Sequence, residues 1–379
     1  MSIAVRLQRL RAEMAREGLD ALLVTAPVDD VSGRHSANRR YLTGFTGSAG
    51  MVLVTGEAAF LAVDARYWEQ AAEQVDREAV RIFRLRGRSG AWWRELVAEA
   101  GIVGKRVGCS PNDTTLSVWR RLTEANEALP PGERPELLVA PPLVERLRRV
   151  KDEGEIAALT RAAAIADAAL GEAAELVRPG VTEAAVAEAV GAAIRKHGGE
   201  GPSFATIVAG GVWAALPHAY PRDVPFREGD AVVIDMGAVW QGYCSDITRT
   251  FAAGRGNPKF AAVYEVVLEA QLAAIDGIRS GMTGEEAYRL AADVIERHGY
   301  GEYFTHGLGH GVGLDVHEDP YLGPNSEDRL EDGMVFTIEP GIYIPEWGGV
   351  RIEDMVVLEG GRARVLTGSP KGVPHAARV

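Results

Sequence analysis

The sequence predicts a two-domain α/β protein, and three observations carry that prediction. Short apolar, strand-like runs alternate with amphipathic helical stretches through the first third of the chain. The alternation is interrupted between residues 128 and 142, where five prolines fall. Beyond that segment one helical unit occurs twice, so the second domain reads as α+β with an internal pseudo-twofold repeat. A chain of 379 residues, 46% of them apolar, is long enough for two domains with separate cores.

Leu7, Leu10 and Met14 fall on one helical face, so the chain opens with an amphipathic helix that stops near Gly18. ALLVT (residues 21–25), MVLVT (51–55) and AFLAV (59–63) read as strands. Helical patterns follow over 92–100 and 116–128, with a short strand near Val107. The prolines set a domain boundary near residue 145, giving domains 1–145 and 146–379, and helix resumes at VERLRRVKDEGEI. Asp152 with Glu155 three residues later reads as a capping box for a long helix.

RPGVTEAAVAEAVGAAIRKHG starts at Arg178 and RSGMTGEEAYRLAADVIERHG at Arg279, and the two align without a gap. Gly180 matches Gly281, Thr182 matches Thr283, and His197-Gly198 matches His298-Gly299. Each copy has a tight turn, a threonine placed to cap, a helix and a glycine stop. Such grammar can recur by chance, but a constant offset over a whole helix favours duplication. Two related halves facing each other would enclose one central site.

Composition narrows the function. A net charge of −12 argues against a surface that tracks phosphates, so nucleic acid is not an expected partner. The N-terminal segment carries arginines at short intervals and lacks the apolar stretch of a signal peptide, and no run approaches the ~20 apolar residues of a membrane helix. Two distant cysteines, Cys109 and Cys244, suit a reducing cytoplasm.

The chemistry concentrates in the last third. AVVIDMGAVW and YCSDITRTF read as a hairpin; centred on Trp240 and Gln241, it makes Asp235 and Asp246 direct cross-strand partners about 5 Å apart at Cβ. Two anions that close repel unless cations lie between them. Asp235 also interrupts an otherwise apolar run, which disfavours a merely solvated pair. VFTIEPGIYI and GVRIEDMVVL flank a turn at residues 346–349, so Glu339 and Glu353 are again opposed, with Arg351 on the face of Glu353. An ordinary cross-strand pair balanced by Arg351 is the competing reading. His306, His310 and His317 share one glycine-rich run whose glycines disfavour helix and allow close backbone approach. His310 is the ligand candidate there. His218, in LPHAYP, has the weakest intrinsic case. Cys244 reads as a spectator.

These segments together resemble the "pita-bread" metallopeptidases, and LPHA, YCSDITRT, HGLGHGVGLDVHE, EPGIY and GGVRIED match its proline-peptidase branch (M24B), which includes prolidase and aminopeptidase P. NRRYLTGFTGSAG resembles the creatinase-type N-terminal domain of that branch, so the resemblance spans essentially the whole chain. It implies a pita-bread catalytic domain whose Asp235, Asp246, His310, Glu339 and Glu353 bind two divalent ions, with Asp246 and Glu353 bridging both. It implies that Glu339 handles the proton of an activated water, and that His218, His317 and Arg351 orient substrate, with Tyr343 near the site. An oxygen-rich set suits Mn²⁺ best, with Co²⁺, Fe²⁺ or Zn²⁺ as alternatives. It further implies a homodimer acting on proline-containing peptides. Relatives commonly carry Asn where Trp213 stands, which leaves the pocket shape open.

Some proteins of this fold have lost ligands and serve as binding modules, and others cleave a non-peptide C–N bond without metal; an acidic residue or His at all five ligand positions favours the hydrolase. Between prolidase and aminopeptidase P the motifs do not choose. Arg34, His35, Arg39 and Arg40, before YLTG, could meet the free carboxylate of a dipeptide, with Arg34 and Arg39 the chosen substrate contacts. That tilts the expectation to a dipeptidase. Solvated arginines are the bland alternative.

Overall fold

The computed structural model describes residues 1–25, 36–86, 91–256 and 258–371. The chain divides into two compact units, Met1–Arg148 and Arg149–Val379.

The first unit holds α1 (Ile3–Arg16), β1 (Ala21–Thr25), α2 (Ala37–Thr43), β2 (Met51–Thr55), β3 (Ala59–Val63) and α3 (Trp68–Gln74). It continues with β4 (Arg81–Arg84), α4 (Ala91–Glu99), β5 (Arg106–Cys109), α5 (Leu116–Glu127), β6 (Glu136–Val139) and α6 (Leu143–Arg148). Its six strands form one mixed sheet in the order β4-β3-β2-β1-β5-β6. The strands expected at ALLVT, MVLVT and AFLAV are those observed. All of β1 and β3 is buried, as expected of runs with no polar alternation. Leu7, Leu10 and Met14 are the buried stripe of α1.

Helix resumes at Leu143 but VERLRRVKDEGEI is not continuous, because α6 ends at Arg148. Val150 instead makes an isolated bridge to Met334, and Asp152 then caps a new helix with the full capping box to Glu155.

The second unit begins with α7 (Glu153–Ala174), α8 (Glu183–Lys196), β7 (Gly201–Pro202), β8 (Ile207–Gly210), β9 (Ala231–Met236), β10 (Ala238–Trp240), β11 (Tyr243–Cys244) and β12 (Ile247–Ala252). It repeats the order with α9 (Pro258–Gly277), α10 (Gly284–Arg297), β13 (Gly309–Gly311), β14 (Glu318–Leu322), β15 (Val335–Ile338), β16 (Gly341–Ile344), β17 (Gly348–Arg351), β18 (Asp354–Glu359) and β19 (Arg362–Val365). Strands β12-β9-β8 make the sheet of the first half, and β14-β13-β15-β18-β19 that of the second.

The aligned sequence copies are aligned structures. Thr182 and Thr283 cap α8 and α10 through their hydroxyls. Gly180 and Gly281 take φ of 89° and 90°, a left-handed conformation that a side chain would strain. Each helix pair packs an apolar face on its own sheet. Val186, Val190 and Ile194 lie on Val232 and Ile234 in one half; Ala287, Ala291 and Ile295 join Phe336 and Ile338 in the other. With the helices on one side, the acidic strand ends are left free to meet.

Candidate metal centre

Asp235 is the last residue but one of β9 and faces Thr248 of β12. This corrects the expected register, in which Asp235 and Asp246 were direct partners. Trp240 pairs with Tyr243, and the turn residues are Gln241 and Gly242, with φ of 48° and 74°. Glycine tolerates that conformation best when it is second in the turn, so the hairpin centres one residue later than expected. The resulting displacement is two residues and keeps both carboxylates on one face. Between them Gly237 is indispensable: a Cβ there would lie 1.7 Å from the Ser245 carbonyl oxygen.

The second acidic pair follows the expectation. Ile338 pairs with Asp354 and Gly341 with Arg351, which leaves Glu339 and Glu353 opposite each other between those pairs. Arg351 balances neither glutamate directly. Its Nη2 donates to Asp235 Oδ2 at 2.6 Å and its Nη1 to the Tyr343 hydroxyl at 2.7 Å.

His310 sits at a bulge in β13. Its Nδ1 lies 3.1 Å from the Gly311 carbonyl, so Nδ1 carries the proton and Nε2 offers a lone pair. That Nε2 is 3.4 Å from Glu339 Oε1 and 3.7 Å from Asp246 Oδ2. Burial lowers the His310 pKa, which keeps the ring in the neutral, ligating form. Ligand atoms of Asp246, His310 and Glu353 all lie within 4.8 Å of one another. Asp235 and Glu339 flank that trio.

The donors fit a divalent cation. Asp235 Oδ1 and Asp246 Oδ1 are buried and have no hydrogen-bond partner among the described residues. Burial, and then the charges of neighbouring carboxylates, raise Asp246 and Glu353 well above the ordinary carboxylate range. Burial lifts Glu339 to about 7, against the pull of Arg351. So many convergent anions require either protons or cations, and unfilled oxygen lone pairs aimed inward favour a hard or borderline cation.

A buried network holds this floor in place. Thr248 donates to Glu353 Oε2 at 2.6 Å. Arg249 donates to the carbonyls of Thr248 (2.9 Å) and Glu353 (2.5 Å), to Asp354 Oδ1 (2.7 Å), and to the carbonyls of Ser369 (2.7 Å) and Pro370 (3.2 Å). Asp354, fully buried, also accepts from Gln271, Thr367 and Lys371.

The trio and its flanking carboxylates open into a cavity of about 650 Å³, whose walls include His218, His306, His317 and Arg351. His218 and His317 are exposed, and the His317 ring centroid lies 4.1 Å from that of His310. Tyr343 lies one layer behind the cavity wall. Its hydroxyl receives from Arg351 and lies 3.0 Å from His306 Nε2, and burial pushes it up to about 12. His306 had only its spacing from His310 to recommend it, yet it stands in the wall. Burial drives it down to about 4, and its Nδ1 rests 2.8 Å from the Gly307 carbonyl. The Cys244 thiol points to the Leu314 carbonyl at 3.7 Å and stays out of the ligand cluster.

Arg39 overturns its expected role as a substrate contact. It is fully buried, and its guanidinium donates to the carbonyls of Gly47 and Gly50 inside the first unit. Desolvation lowers it to about 10. Its position on the first inward face of α2 committed it to the core. Arg34 and His35 lie outside the described residues.

Comparison with known proteins agrees with this geometry. Residues 157–359 match the model of metallopeptidase family M24, and residues 6–150 that of the creatinase/prolidase N-terminal domain. The Xaa-Pro dipeptidase of Pyrococcus horikoshii is 37% identical over 93% of this chain and 94% of its own. A solved Xaa-Pro dipeptidase from Bacillus anthracis superposes with a TM-score of 0.89 at 39% identity, covering 98% of this chain and 99% of that one. A solved X-Pro aminopeptidase from Thermotoga maritima gives 0.84 at 35% identity over 96% and 99%. Among the described residues no helix is long and apolar enough to cross a membrane.

Proposed function

The chain belongs to metallopeptidase family M24, with a creatinase-type domain before a pita-bread catalytic domain, and we propose that it is a prolidase hydrolysing Xaa-Pro dipeptides. The observation that carries the reading is the convergence of four carboxylates and the neutral His310 on one cavity, with two buried carboxylate oxygens unpartnered among the described residues. Asp235, Asp246, His310, Glu339 and Glu353 would hold two divalent ions, Mn²⁺ in preference to Co²⁺, Fe²⁺ or Zn²⁺, with Asp246 and Glu353 shared between them. Such ions, when bound, supply a water of lowered pKa and an electrophile for the scissile carbonyl.

The remaining work falls to the side chains. Glu339, held on the cavity floor beside His310, takes the proton of the attacking water and passes it to the imide nitrogen. Thr337 donates to Glu339 Oε1 at 3.1 Å and fixes which oxygen is free. His218 and His317, exposed on the cavity wall, donate to substrate oxygens. Arg351 holds Asp235 through its Nη2 and, through Tyr343, aligns His306. Proline has no N–H, so recognition must fit its ring rather than a donor. Cys109 and Cys244 are buried and form no disulfide, which agrees with a reducing compartment, and we assign the protein to the cytoplasm as a homodimer.

Burial of Arg39 removes one support for dipeptide preference, so Xaa-Pro aminopeptidase activity stands as the second reading. It shares the likeness to the Thermotoga maritima structure. The deciding measurement is kcat/KM for Ala-Pro against Ala-Pro extended by one and two residues. A prolidase favours the dipeptide; equal or faster cleavage of the longer peptides makes the enzyme an aminopeptidase.

A further inference from the structure

His218 rides on the loop that leaves β8 at Gly210 and returns at Arg222. Among the described residues no hydrogen bond holds its imidazole, so the loop backbone is what aims it. A single carboxylate fastens both ends of that loop. Glu183, in the first turn of α8 and 1% exposed, accepts the Gly210 N–H at 3.0 Å and the Arg222 N–H at 2.9 Å. The Arg222 side chain then closes on the same carboxylate as a fork, Nε to Oε2 at 2.9 Å and Nη2 to Oε1 at 2.7 Å. On its other face the guanidinium lies 4.2 Å from the Trp213 ring. The Trp213 indole N–H reaches across the loop to the Tyr220 carbonyl at 3.2 Å. Inside this frame two turns, Leu216 N–H to Trp213 and Ala219 N–H to Leu216, bracket Pro217 and His218.

We propose that Glu183, Arg222 and Trp213 form a clasp of positioning residues that sets where His218 stands over the metal centre. The inference rests on the reading of His218 as an active-site residue. Trp213 contributes a flat surface on which the guanidinium is pinned, and Arg222 transmits the position of the buried Glu183 to the loop. The position where relatives differ thus acts on geometry from outside the cavity wall.

The test is a set of double-mutant cycles in the metal-loaded enzyme. Removing Glu183 threatens folding, so the probes are Arg222→Ala and Trp213→Ala, with Trp213→Phe as the conservative variant. Each alanine variant is expected to lower kcat about tenfold, the scale of a sub-ångström misplacement. KM and metal content stay near wild type, and Trp213→Phe recovers most of the loss. In a His218→Ala background the same substitutions cost less than about twofold, because the group they position is gone. A full loss persisting in that background overturns the clasp, as does no loss in the wild-type background. If His218→Ala itself leaves kcat unchanged, the proposal falls through its premise, and the reading of His218 falls with it.

Discussion

The two halves of the catalytic domain share a frame and differ in what they hang on it. In each, a threonine-capped helix packs on an antiparallel sheet, and a pair of acids stands at or just beyond strand ends. Along the ladders, Asp235 lies opposite Ile207, and the Glu339 N–H bonds the Leu308 carbonyl. Two residues further along each of these neighbouring segments stand Ala209 in the first half and His310 in the second. The first half therefore supplies only oxygens, on short side chains. The second supplies oxygens on side chains one methylene longer, plus the nitrogen. The repeat provides the position of charge, and the departures from it provide the chemistry: the neutral imidazole and the carboxyl near pKa 7 both come from the second half.

The largest effect expected tests whether the halves are equivalent as holders of metal. Asp246→Ala and Glu353→Ala should each empty the site and lower kcat/KM more than ~10³-fold, beyond the loss of one oxyanion donor. Elemental analysis and steady-state rates check this. Retention of metal by one variant alone would break the equivalence.

A smaller loss should separate the halves. Glu339→Gln should keep most of its metal while kcat falls roughly 10²-fold or more, the scale for a general base. Asp235→Asn, by contrast, should lose metal along with rate. Equal metal loss in both would assign Glu339 to binding alone.

A third measurement concerns pH. Glu339 titrates at 4.5 when unperturbed and at about 7 in the folded, metal-free protein. Its folded pKa is raised, so its contribution to stability is complete below pH 4.5 and is lost as pH climbs through about 7. Asp246 and Glu353 shift in the same direction. The melting temperature of metal-free protein should therefore fall over that window relative to metal-loaded protein, whose cations compensate the ionised carboxylates. Parallel melting curves for the two forms would contradict this.

The smallest effect lies in the frame. Thr182→Ala and Thr283→Ala should each cost about 1 kcal/mol. The second should cost slightly more, since only Thr283 belongs to a capping box, with Glu286. Calorimetry on both variants measures how closely the copies still match.

Local chemistry made much of this legible. The first-domain strands, the caps and the helical repeat follow from neighbours in sequence, and the opposition of Glu339 and Glu353 follows from one turn. The Asp235 register departs from the sequence expectation because positive φ at Gln241 is unusual for a residue that is not glycine. What stayed hidden depended on distant partners. Arg39 reads as a surface cation until Gly47 and Gly50 present carbonyls to it, and nothing near Glu183 announces that it ties two ends of a distant loop. His306 had a visible signal, its spacing, but its place in the wall depends on Tyr343, far along the chain.

Arg249 has a consequence for the segment that follows the last ligand. It clamps the Glu353 carbonyl and also grips the carbonyls of Ser369 and Pro370, which follow every candidate metal ligand in the chain. The segment after Glu353 is thus part of the support of the candidate site, and a chain cut before Ser369 should hold metal less firmly.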